Sequence, residues 1–522
     1  MIKLFGHYNF EVSHLLRKYD TEYLFLKHKS DIMKKSILLF LVLVSTAISF
    51  GQSEKSKVQE TVAKSKIEGH IYFLADDLLK GRETGTPENK IAASYLANTL
   101  RSYGVQPNPK TGDYYQEVTL QKTAPPKDVT IAINGSTIKD YAVLDVAATD
   151  FSKGAVYLGY GLEQDYKGKS VDGKLVVVKA GSADAKDARA AFGLLDQKRQ
   201  LAKQNGAVGV LELLNAEEQM WGFIEHNFNA PSLDIVKEES KTASMPYVWI
   251  LDKGNKMANS LTANKSIAAS LKMSGSQKEI VKSQNVIGVI EGTDPILKNE
   301  YIIYSGHYDH VGIGTPDETG DTIYNGARDN AIGTTTVLSM AENLAKYPTK
   351  RSALFILFTG EEKGLLGSSF YVENPVLPLH QMVYCFNSDN GGYNDTSLAT
   401  IIGLPRTTAS QHIKDAASAF GLTAIDDPAP EQGLFDRSDN VNFAAKGIPA
   451  PTFSLGFTAF NGDVTKYYHR PGDEANTLDY DYLFKFFSAY VLAGRNIGND
   501  PITPTWTAGD KYEAAGKALY KN

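Results

Sequence analysis

The chain has 522 residues, 42% hydrophobic and 22% charged, an ordinary globular composition long enough for two to four domains. A formal net charge of −6 gives no case for nucleic acid, which calls for a basic face. The single cysteine, Cys385, excludes an intrachain disulfide, and within "MVYCF" it reads as a buried small hydrophobe rather than a nucleophile.

In chain order, the first feature is "MKKSILLFLVLVSTAISFGQ" from Met33. Two lysines, an apolar stretch from Ile37 to about Val44 and small residues up to Gly51 are laid out as a bacterial secretory signal, with cleavage expected before Gln52. The apolar stretch is too short for a comfortable membrane span, and no cysteine stands near the cleavage point to carry a lipid anchor. Residues 1–32 then read as an over-called start, with Met33 the expected initiator. The expected location is periplasmic or secreted, without a stable membrane anchor.

Two helices are expected next, from Ile67, Ile71, Leu74, Leu78 and Leu79 and from Ile91, Ala92, Tyr95, Leu96 and Leu100, with "KGRETGTPEN" as the loop between them. From about Leu144 the texture changes to short Val- and Gly-rich runs, "GAVYLGYG" and "GKLVVVKAG", followed by a helix-then-strand pattern in "ARAAFGLLDQKRQLAKQNGAVGVLEL". Residues 144–274 are expected to form a small inserted α/β domain, dividing a larger domain into 52–143 and 275–522. Beyond "SQNVIGVIEG", apolar strands over 285–290, 300–305, 353–358, 382–387 and 451–454 alternate with helices starting near Ala331, Gly364, Thr408, Val441 and Tyr480. That pattern implies an α/β fold with a mixed, mainly parallel sheet sandwiched by helices, and sites beyond the carboxyl ends of the strands.

Chemistry-bearing residues stand at those ends. "SGHYDH" carries His307, Asp309 and His310, "GARDNAIG" carries Asp329, and "FTGEEKGLLGS" carries Glu361 and Glu362. "NSDN" carries Asp389, and "YHRPGDE" carries Tyr468, His469 and Asp473. Taken singly, these are ordinary caps, turn residues and solvated pairs. Taken together, two histidines and three carboxylates with one carboxylate bridging suit two zinc ions sharing a water.

These motifs, in this order, resemble the co-catalytic di-zinc aminopeptidase family, which includes secreted bacterial leucyl aminopeptidases and glutamate carboxypeptidase-like peptidases. The middle segment resembles a protease-associated domain. The resemblance implies two Zn2+ per chain, one held by His307, Asp329 and Asp389 and the other by Asp329, Glu362 and His469. It implies Glu361 as general base on a zinc-bridging hydroxide, Asp309 as the carboxylate orienting His307, and Tyr468 as donor to the oxyanion. His310 is expected to be a bystander. Many relatives read "SDH" where this chain has Ser438, Asp439 and Asn440, in a loop near the substrate. Arg437 and Asp439 are the expected substrate contacts. The implied activity is removal of N-terminal residues from peptides. The alternatives are a carboxypeptidase or dipeptidase, a glutaminyl cyclase, and a non-catalytic receptor-like binding protein.

Overall fold

A run such as Ser352–Phe358, "SALFILF", offers no polar face to water, and every residue of it is buried. Strands of this kind form the middle of a ten-stranded sheet. In chain order the longer strands and edge strands of this sheet are β1 (Tyr115–Thr123), β2 (Ser232–Ile235), β3 (Lys278–Ile290), β4 (Tyr301–His307), β5 (Ser352–Phe358), β6 (Met382–Ser388), β7 (Leu398–Ile402), β8 (Thr423–Ile425) and β9 (Thr452–Leu455). The spatial order is β2-β1-β3-β5-β4-β6-β9-β7-β8, with the short pair Gln106–Pro107 alongside β3. β5, β4, β6 and β9 are mutually parallel, so their carboxyl ends share one edge. β1 and β3 run antiparallel on one flank.

The computed structural model describes residues 52–185, 187–236, 244–262 and 267–521. The expected export signal therefore lies outside the described residues. Among the described residues, no helix is long and apolar enough to cross a membrane.

Helices α1 (Lys64–Leu74), α2 (Pro87–Ser102), α3 (Gly333–Lys346) and α7 (Tyr480–Asn499) bury their apolar sides in one core cluster with Tyr304, Phe355 and Phe386 of the sheet. α4 (Leu366–Glu373) and α6 (Asn440–Ala445) pack in a second cluster that holds Leu354, Ile356 and Cys385, while α5 (Ser410–Ala419) joins the first. Thr86 caps α2, its hydroxyl accepting from Asn89 N at 3.2 Å, with Pro87 in the first turn. Cys385 is buried, which pushes its thiol up to about 12, as an inert core residue requires.

A second sheet, of nine strands, lies within residues 130–273. Four of its strands, Gly154–Tyr157, Leu175–Lys179, Gly209–Leu214 and Tyr247–Leu251, are parallel neighbours. It begins at Thr130, ahead of the boundary expected at 144, because three short strands between Thr130 and Asp145 pair into it. The four residues of β2, inside the same stretch, instead extend the main sheet by pairing with β1.

Candidate metal centre

His307 is the last residue of β4, two positions further into the strand than the sequence pattern suggested. Glu361 and Glu362 follow β5, and Asp389 follows β6. Three parallel neighbours thus deliver three site segments to one edge. Asp329 comes from a wide, fully buried turn, Ala327–Ile332, that opens into α3. His469 comes from the loop after β9 and holds a left-handed backbone, φ 50°.

The donors gather in two groups whose ligand atoms lie within 4.8 Å of one another: His310, Asp329, Glu362 and His469 in one, His307, Glu361 and Asp389 in the other. Asp329 joins them. Its Oδ1 lies 3.3 Å from His307 Nε2, and its Oδ2 lies 3.1 Å from His469 Nε2. His307 Nε2 is also 3.4 Å from Asp389 Oδ1, and His469 Nε2 is 3.1 Å from Glu362 Oε2. All five expected metal ligands are therefore brought together.

The electrostatics are those of a site built for cations. Burial alone would depress His307, but the charges of Glu361 and Asp389 and hydrogen bonds to Asp329 and Asp389 outweigh it and hold the imidazole well above its usual value. Burial also opposes His469, yet Asp329 and Glu362 push it up to about 10. The two histidines in turn hold Asp329 well below the usual carboxylate range, against its burial. Glu362 falls to about 2 because hydrogen bonds from His310 and His469 overcome burial and the charge of Asp329. Glu361 goes the other way: burial pushes it well up, against the charge of His307 and helped by Asp389, Glu362 and Asp439. Among the described residues, no lysine or arginine forms an ion pair with Asp329, Glu361, Glu362 or Asp389. Four carboxylates facing three imidazoles leave an excess of negative charge, and the oxygen and nitrogen donors fit zinc or a comparable divalent ion.

Asp309 does not orient His307 in the expected way. Its carboxylate Oδ1 is 3.8 Å from His307 Nδ1, whereas its backbone carbonyl is 3.2 Å away. The carboxylate is used elsewhere: it accepts from Thr84 Oγ1 at 2.8 Å, Glu361 N at 3.2 Å and Glu362 N at 3.4 Å. Asp309 thus anchors the backbone of both glutamates.

Two further positioning groups were not legible as such in the sequence. Asp473 clamps the Asp329 turn, accepting from Arg328 N, Asp329 N and the Arg328 guanidinium at 2.9–3.2 Å. Arg82, wholly buried in the "KGRETG" loop, donates to the carbonyls of Tyr308 (2.8 Å), Asn325 (2.5 Å), Gly326 (3.1 Å) and Leu74. The only sequence signal for it was an arginine among glycines, in a loop already marked as irregular.

A cleft of about 350 Å³ opens onto the donors. Leu365, Ile402, Leu434, Phe457, Phe460 and Val464 give it an apolar wall. Tyr468 lines it, stacked on His469 with ring centroids 4.0 Å apart, and its hydroxyl accepts from Arg437 at 3.3 Å. Arg437 is exposed at the cleft and can meet a substrate. Asp439 cannot in this arrangement: it is wholly buried and is not among the cleft-lining residues, because the neighbouring Ser438 faces the cleft in its place. Burial pushes Asp439 up to about 7, against the charge of His307. His310 is no bystander. It is fully buried and its Nδ1 lies 2.7 Å from Glu362 Oε1.

The geometry agrees with what the chain resembles. Residues 285–492 match the family model described as Peptidase family M28. The chain is 29% identical over 204 residues to aminopeptidase YwaD of Bacillus subtilis, covering 38% of this chain and 42% of that protein. It is 26% identical over 231 residues to leucine aminopeptidase 2 of Trichophyton rubrum, covering 38% and 42%. It is 26% identical over 219 residues to aminopeptidase Y of Saccharomyces cerevisiae, covering 39% and 36%. The chain thus spans about two fifths of the length of these curated relatives. Among solved structures, the aminopeptidase from Aneurinibacillus sp. strain AM-1 superposes with a TM-score of 0.60 at 22% identity, covering 86% of this chain and 97% of that one, a likeness of fold. Residues 285–492 are thus similar to peptidase family M28.

Proposed function

We propose that the protein is an exported, zinc-dependent aminopeptidase, acting outside the cytoplasm on peptides with a free N-terminus. The observation that carries this reading is Asp329, whose two oxygens face different histidines, His307 and His469, as a carboxylate bridging two cations must. His307, Asp329 and Asp389 would hold one zinc, and Asp329, Glu362 and His469 the other. Bound there, the pair would supply Lewis acidity and a water acidified to a pKa of about 7.

The protein's own groups divide the remaining work. Glu361 lines the cleft beside His307 and Asp389, takes the proton of the attacking water and returns it to the leaving amine. Two adjacent glutamates are needed because Glu362 is committed to the metal while Glu361 must stay free to carry a proton. Tyr468 donates its hydroxyl proton to the oxyanion that forms at the scissile carbonyl, and Arg437 holds that hydroxyl from the other side. The apolar wall receives the side chain of the N-terminal residue. The nine-stranded sheet within residues 130–273 corresponds, on this reading, to a protease-associated domain.

The test compares a free-amine leucyl peptide, its N-acetylated twin and its C-terminal amide, with the chain from Gln52 and added zinc. Cleavage abolished by acetylation and retained on amidation is the expected result. The converse pattern would make the enzyme a carboxypeptidase, with Arg437 as the cleft cation meeting the substrate carboxylate.

A further inference from the structure

His310 has a place in the site that the sequence pattern did not give it. Its Nδ1 lies 2.7 Å from Glu362 Oε1. The other oxygen of that carboxylate, Oε2, is 3.1 Å from His469 Nε2, on the side facing Asp329. A carboxylate only accepts, so the proton of this bond sits on Nδ1 of His310. The ring is fully buried, and its Nε2 has no hydrogen-bond partner.

The imidazole is also held from several sides. Its backbone N–H donates to Arg82 O at 3.4 Å. The ring meets the His469 ring edge-on, with centroids 5.4 Å apart. Gly326, in a left-handed turn, leaves the space the ring needs: a Cβ there would stand 2.6 Å from the ring.

We propose that His310 is a positioning residue of the metal centre, pinning Oε1 of Glu362 through Nδ1–H so that Oε2 alone turns toward the ion held with Asp329 and His469. It acts as an outer partner and not as a fourth ligand, because the nitrogen nearest Glu362 is occupied by its proton. This inference rests on the reading of the site as a metal centre. An outer partner of this kind sets ligand orientation and basicity, and its loss costs about 10- to 100-fold in metal affinity.

The experiment measures zinc affinity, not turnover. Full-length wild-type protein and the variants His310→Asn, His310→Leu and His310→Ala are stripped with a chelator and titrated with zinc against a chromophoric competitor. Asparagine keeps a donor near the position of Nδ1; leucine and alanine remove it at two different sizes, so that at least one folded donor-less variant is available. The expected result is two zinc ions per wild-type chain. In the leucine and alanine variants one ion should bind about 10- to 100-fold more weakly, the other should be unchanged, and asparagine should restore most of the loss. Wild-type affinities at both sites in a donor-less variant overturn the proposal while leaving the metal centre intact. So does complete loss of one ion in all three variants, which would make His310 a ligand. A wild-type chain that takes up no zinc overturns the metal-centre reading itself, and this inference with it.

Discussion

Glu361 and Glu362 are neighbours in the chain with opposite surroundings. Glu362 lies among His310 and His469, which stabilise its charge, whereas Glu361 is buried with other carboxylates around it. Glu361→Gln should therefore leave metal content unchanged and lower kcat by about 10²- to 10⁴-fold, the usual contribution of a positioned base. Metal analysis beside steady-state kinetics checks this, and unchanged turnover would remove Glu361 from the role. Asp329→Ala should behave differently, because one side chain serves both histidines: zinc content and activity should fall together, and a variant that keeps both ions would refute the bridging assignment. The five residues proposed as ligands could be picked out because each sits in a short motif. What Asp309 does was not legible. A carboxylate two residues after a histidine can face the ring or its own backbone neighbours, and only the fold decides that its oxygens reach Glu361 N and Glu362 N.

At the scale of elements, the site depends on loops that the sheet does not itself hold. Arg82 draws together the end of α1, the turn after β4 and the approach to Asp329 through carbonyls that are distant in sequence. Arg82→Met should leave those acceptors buried without donors. At about 1–3 kcal/mol for an unsatisfied buried group, and with partial relaxation, a loss of about 3–5 kcal/mol is expected in urea denaturation, with weaker zinc binding in the folded fraction. A change below about 1 kcal/mol would show that the carbonyls find other donors. Such long-range pairings leave no local pattern, which is why this arginine read only as part of a loop. The central strands were legible for the opposite reason: runs like "SALFILF" are apolar throughout and bounded by turn residues. β2 was missed because four residues, "SLDI", with half-buried alternation carry too little periodicity to stand out.

At the scale of the whole molecule, protons and metal ions compete for the same groups, and the competition has a sign. In the metal-free protein His469 is raised from 6.5 to about 10, so the stability it lends is fully present below pH 6.5 and is lost as pH rises through 10. Glu362 is depressed from 4.5 to about 2, so its contribution is present above pH 4.5 and is lost as pH falls through 2. These two groups therefore favour the metal-free fold most between pH 4.5 and 6.5 and progressively less toward pH 10. Zinc requires the imidazoles neutral and the carboxylates ionised, so its binding releases protons and strengthens as pH rises. Since an ion that binds only the folded state stabilises it in proportion to the logarithm of its affinity, the two trends diverge. The difference in Tm between zinc-saturated and chelator-treated protein should widen steadily from pH 5.5 to pH 8.5. Thermal scans in matched buffers measure it directly. A difference that stays constant or narrows over that range would mean that His307 and His469 do not exchange protons for metal, and that the ions are held elsewhere.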